Sequence, residues 1–214
     1  MNKEKLAPLG WVVAALMAGF VFAGGFQGAQ DKVGVVDLNK AVQNSDMGKK
    51  NHEELDAMVT ARKGVIEFMQ QHRVLTREQA NKLKTLSLKT SLSDAESKDL
   101  NKVKEDVKAA HTNFDVLNQK SNPTEDERNL LQQYNAFIQA TNELVQDWGG
   151  QFSNELEQRQ NQMIQDSVQK ADNAIKEVSK KEGYTVVFSE PAAAVYGAND
   201  LTDAVTKALN AQKS

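Results

Sequence analysis

Apart from one continuous apolar stretch near its start, the chain carries its hydrophobic residues as two short bunches and a long series of helical stripes. Lys32-Val-Gly-Val-Val-Asp-Leu38 is one bunch and Gly183-Tyr-Thr-Val-Val-Phe-Ser189 the other, and each reads as a short β-strand. Another short strand is expected at Ala193-Ala-Val-Tyr196. Between the bunches, residues 39–182 read as helix almost throughout. Leu55, Met58, Val59, Arg62, Val65, Ile66 and Met69 fall at helical spacing, on a helix predicted from about Lys40 to Arg73. Thr76-Arg-Glu-Gln79 and Ser93-Asp-Ala-Glu96 have the form of capping boxes and open a second and a third helix. Asn122-Pro-Thr-Glu-Asp-Glu127 ends the third and starts a fourth, with its acids at the positive end of the helix dipole.

The third and fourth helices carry heptad seams: Leu100, Val103, Val107, Ala110, Phe114 and Leu117 on one, Leu130, Tyr134, Phe137, Thr141, Leu144 and Trp148 on the other. Folding the chain back near Asn122 brings 114 to 130, 110 to 134, 107 to 137, 103 to 141 and 100 to 144, so the seams face each other in an antiparallel hairpin. Charge agrees: residues 76–120 hold nine Lys/Arg and seven Asp/Glu, whereas 124–166 hold two and eight. The returning helix is predicted from about Thr124 to Glu182, roughly 90 Å at the standard rise. Gly149-Gly150 interrupts its pattern, which leaves two readings, a flexible joint or a coiled coil that tolerates the pair. The out-and-back lengths balance when residues 76–92 are set aside as an excursion.

Such a hairpin brings the two strand bunches together at one end. Asn199 or Asp200 is expected to cap a last amphipathic helix with Leu201, Ala204, Val205, Ala208 and Leu209 on its inner side. The fold class is therefore α+β: a long antiparallel α-helical coiled-coil hairpin, residues 39–182 with its tip near 121–124, projecting from a small β-rich head of residues 31–38 and 183–214. A head this small is marginal alone. Several copies are expected to associate there, burying Val33, Val35, Val36, Val186, Val187 and Phe188 together with Tyr196, Leu201 and Val205.

Residues 1–30 read as an export signal. Lys3 and Lys5 precede the apolar stretch Leu9 to Phe26, followed at once by polar residues. It is long for a signal core and short for a membrane span, so cleavage after Gly25 and retention as an inner-membrane anchor both stay open. Either way the remainder is exported. With no cysteine, there are neither disulfides nor thiolate metal sites. A net charge of −3 speaks against nucleic acid as a partner. His52, His72 and His111 are 20 and 39 residues apart, without the close spacing of a helical metal site. No glycine-rich phosphate loop or paired catalytic carboxylate stands out, so no enzyme activity, metal or cofactor is expected.

The segments "KVGVVDLNKAVQNSDMGKK" and "GYTVVFSEPAAAVYGANDLTDAVTKALN", flanking a charged helical hairpin behind an export signal, resemble the Skp/OmpH family of periplasmic chaperones. The resemblance implies a homotrimer in which a β hub carries three helical tentacles. It also implies that unfolded outer-membrane β-barrel proteins are held in the central cavity without ATP or an active site. Skp itself is strongly basic, whereas this chain is slightly acidic, which leaves client type, lipopolysaccharide and membrane-surface contact open. Met58, Val65, Phe68, Met69, Phe152 and Met163 are candidate cavity-wall residues, Met being adaptable in shape. The plainer alternative is that each packs in the hairpin seam. A membrane-anchored coiled-coil spacer or adaptor of the envelope is the competing function.

Overall fold

The structure, a computed structural model, describes residues 32–189 and 199–212. The N-terminal apolar segment and the strand expected at 193–196, with Tyr196, lie outside the described residues. What is described is mostly helical with one small sheet, and it divides into two compact units. Glu54–Arg159 is one; the chain up to Glu53 together with the chain from Gln160 is the other.

In the second of these units, β1 (Val33–Val36) lies between β2 (Val186–Ser189) and β3 (Asn199–Asp200), parallel to both. Val33 is opposite Val186 and Val36 opposite Ser189, so the two valine-rich bunches pair as expected. The helices α1 (Leu38–Asn44) and α6 (Thr202–Ala211) pack against each other beside the sheet. Val36, Leu38, Ala41 and Val42 there join Leu201, Val205 and Leu209, with Ala171, Ala174 and Val178 completing one buried cluster. The last three lie on α5 (Glu125–Glu182).

Three local features account for these boundaries. The single helix predicted over about 40–73 is broken into α1 and α2 (Asp46–Gln71). At the break Ser45 has extended backbone, φ −71° and ψ 155°. Its buried hydroxyl donates to the Val42 carbonyl at 2.6 Å and accepts from the Gly48 N–H at 3.0 Å, so Ser45 closes one helix and caps the next. Asn199 and Asp200 are strand residues rather than the helix cap itself. Asp200 nonetheless accepts from the Thr202 N–H at 2.9 Å and so serves the start of α6. Hydrogen bonds from Thr202, side chain before backbone, hold the Asp200 carboxyl below its usual pKa. At the other junction, Gly183 takes φ 75° and the Tyr184 N–H bonds back to the Ser179 carbonyl at 2.9 Å, which stops α5 in a Schellman turn.

The Glu54–Arg159 unit is a helical core. Val65 and Met69 from α2 meet Ala80, Leu83 and Leu86 from α3 (Arg77–Ser87), Leu100, Val103 and Val107 from α4 (Asp94–Asn118), and Leu144, Trp148 and Phe152 from α5. The expected excursion thus contains a helix whose apolar side is buried in this core, and α3 also packs along α4. Both predicted capping boxes are formed in full, at Thr76/Gln79 and Ser93/Glu96. A third, at Thr124 and Glu127, starts α5. Near the tip the aromatic partner of Tyr134 is Phe114, with ring centroids 6.3 Å apart. That is one helical turn along from Ala110, the partner read from the heptads.

The helix α5 runs 58 residues through Gly149 and Gly150 without a break. A Cβ added at either glycine would touch nothing within 4 Å. Gly149→Ala and Gly150→Ala are therefore each expected to stabilise the protein by about 1 kcal/mol, the helix-propensity difference. A urea-unfolding midpoint that does not rise in either variant would show that these positions are not helical in solution.

Candidate functional site

The side chains proposed for a client-binding wall fall into two groups. Val65, Met69 and Phe152 belong to the buried core, and Met163 is 2% exposed. Four of the six thus have no surface to offer a client in this conformation, because the stripes that carry them face neighbouring helices. Met58 and Phe68 are half-buried. Among the described helix residues, the large apolar side chain most open to solvent is Val116 of α4, 62% exposed; its position outside the heptad seam is the only sequence signal for it.

Polar contacts brace the helices around the buried phenylalanine. Arg62 donates through Nε and Nη2 to Glu155 Oε2 at 3.1 and 2.9 Å, and its guanidinium carbon lies 5.6 Å from the Phe152 ring centre. Arg159 holds Glu54 in the same manner, at 3.0 and 2.6 Å. Lys84 of α3 places Nζ 4.5 Å from the Trp148 ring centre. Being partly exposed, the two ion pairs fix geometry more than they stabilise, whereas a cation over an indole face contributes about 0.5–1 kcal/mol.

Two capping carboxylates are held below their usual range. Glu96 is pulled down to about 2, first by the Lys89 ammonium it accepts from and then by its bonds with Ser93. Glu127 is lowered in the same way, by Lys120 before Thr124. Both carboxylates sit at helix starts, where the dipole also favours negative charge.

The head residues named from sequence divide as well. Val36, Leu201 and Val205 are buried in the cluster with α1 and α6, and Val35 is 9% exposed. Val33, Val186 and Val187 are half-buried, and Phe188 on the edge strand β2 is 39% exposed. Tyr196 lies outside the described residues. Leu38, Ala41 and Val42 complete the head core; Leu38 ends the first valine-rich bunch and the other two precede the helical stripe that begins at Leu55, so no periodicity marks them. A shallow apolar cleft lined by Leu38, Val42, Ile164 and Val168 opens beside them. Among the described residues no group of three or more His, Asp or Glu side chains could hold a metal. Nor is any described helix long and apolar enough to cross a membrane.

The described residues are those of an α+β protein, mostly helical with one small parallel sheet. The OmpH-like outer membrane protein family matches residues 78–209, well over half of the chain, and the protein belongs to that family. A solved structure of a candidate OmpH-like outer membrane chaperone from Caulobacter crescentus CB15 shares the fold, with a TM-score of 0.54 and 20% identity. The similarity covers 91% of this chain and 92% of that one. No curated protein matches.

Proposed function

We propose that the protein is an ATP-independent holdase chaperone of the periplasm. In this reading three copies join through their heads, and each contributes an antiparallel coiled-coil hairpin to the wall of a cavity that receives unfolded outer-membrane β-barrel proteins. The observation that carries it is membership of the OmpH-like family. The head supports it independently. The three described strands, of four, four and two residues, make a very small sheet. Its valines Val33, Val186 and Val187 stay half-open and Phe188 exposed, apolar surface of the kind a shared core would cover.

An unfolded client offers apolar surface whose burial is worth about 25 cal/mol per Å². Many weak contacts spread over a cavity keep such chains apart without imposing one conformation. Met58, Phe68 and Val116 are among the described side chains with accessible apolar surface for this role. Assembly and holding are tested together. Sedimentation equilibrium of the purified protein is expected to give the mass of three chains. Light scattering from a urea-diluted β-barrel client is expected to fall to near baseline at one trimer per client. A single-chain mass at micromolar concentration, or undiminished scattering, would leave a spacer or adaptor of the envelope as the better account.

A further inference from the structure

His72 and His111, 39 residues apart in sequence, are neighbours in space. His72 follows the last residue of α2 and still donates its backbone N–H to the Phe68 carbonyl at 2.9 Å. Its ring meets the His111 ring of α4 edge-on, at 5.7 Å and 76°. Phe68 lies 4.9 Å from His72, Phe114 lies 6.5 Å from His111, and Tyr134 on α5 lies 6.3 Å from Phe114. A file of five rings therefore crosses from α2 through α4 to α5, with the two imidazoles second and third in it.

Their chemistry separates these two from the other three. The Nδ1 atoms of both imidazoles are buried and have no hydrogen-bond partner among the described residues. A neutral imidazole carries one N–H and packs edge-on as another aromatic ring would, whereas an imidazolium carries two N–H donors that both need acceptors. The charges around the pair are mostly positive. On α4, Lys108 opposes a proton on His72, and Lys104 places Nζ 6.0 Å from the Phe68 ring centre. On the α2 side, exposed Arg73 follows His72 directly. Asp115 faces His111 at 3.8 Å from Nε2 and is itself largely solvated; among the described residues no carboxylate pairs with His72. From α5, Tyr134 brings a neutral hydroxyl, which accepts from Asn113 at 3.2 Å.

We infer that His72 and His111 form a proton-sensitive joint between α2 and α4, closed while the His72 ring is neutral and loosened when acid charges it. The joint is independent of whether the protein shelters clients. Burial first, then the charges of His111 and Lys108, holds the His72 pKa below its ordinary 6.5. The unfolded chain therefore takes up this proton before the folded one does. The stabilising contribution is complete above about pH 6.5, declines as pH falls from there to the lower folded midpoint, and changes no further below it.

The test uses the full chain and two readouts: the imidazole proton signals followed by NMR from pH 8 to 4.5, and amide exchange along 107–117 at pH 7.5 and 5, corrected for intrinsic rates. Expected are a His72 midpoint below 6.5 and an opening equilibrium that rises about tenfold per pH unit between the unfolded and folded midpoints. His72→Phe, which keeps a ring and removes the proton, is expected to abolish most of that rise. A His72 midpoint at or above 6.5, unchanged corrected exchange on acidification, or an equal rise in His72→Phe would each overturn the joint. Should His72→Phe fail to fold, titration and exchange of the unaltered protein decide the matter.

Discussion

Gly48→Ala is expected to cost about 3 kcal/mol or more, the upper end of what overpacking does, and to open the junction between α1 and α2. The cause is local and severe. A Cβ at this position would lie 2.0 Å from the Val42 carbonyl oxygen and 2.8 Å from its carbon. These are backbone atoms, so no side-chain rotation relieves the clash. Moving them breaks the Ser45 hydroxyl bridge, at 2.6 Å on one side and 3.0 Å on the other. It also disturbs Val42 and Ala41, which are buried against the head cluster. Gly64→Ala, in the same helix with nothing within 4 Å of the added atom, supplies the contrast: a gain of about 1 kcal/mol from helix propensity. Urea denaturation of the two variants should thus move the midpoint in opposite directions. If both rise, the close turn at Ser45 is absent in solution and the first long helix runs on as its periodicity suggested.

Trp148→Ala is expected to cost about 3–5 kcal/mol, the range for emptying a large aromatic site. Trp148 is 4% exposed within the core of the Glu54–Arg159 unit and lies 6.5 Å from Phe152 between ring centres. The substitution also leaves Lys84 without the indole face it covers at 4.5 Å. The consequence should be felt most in α3, an 11-residue helix too short to persist by itself. Ala80, Leu83 and Leu86 attach it to the same core. Trypsin is therefore expected to cut at Lys82, Lys84 and Lys89 many times faster in the variant than in the parent protein, while α4 stays protected. A loss below about 1 kcal/mol with α3 still resistant would show that Trp148 lines a loosely filled space rather than anchoring the core.

Local chemistry was the readable part of this chain. Thr76, Ser93 and their partners three residues on satisfy the first backbone donors of a helix whatever lies elsewhere, so the sequence spacing alone located α3 and α4. The limits of the longest helix were equally plain, bounded by acids after Pro123 and by Gly183. Legibility ended where position depends on what comes from afar. Ser45 is an ordinary polar residue in a helical stripe until its hydroxyl is seen bridging Val42 and Gly48. Tyr134 fits a heptad with Ala110 or, one turn on, with Phe114, since the pattern repeats each turn and only three-dimensional packing chooses. Met69 and Phe152 look alike whether a stripe faces a guest or a neighbour; the core formed with α3 decided for the neighbour. The two histidines could not be joined by any local rule.

The order of strands in the head has a consequence for biosynthesis. The middle strand is translated first, and its hydrogen-bonding neighbours follow only after about 150 further residues. Until then Val-Gly-Val-Val has both edges vacant, and pairing them closes a loop of about 150 residues. The helical unit in between can be finished while the sheet has not begun. Any product cut short before Val186 keeps β1 without either of its partner strands, so completion of the sheet is governed by the last stretch to be made.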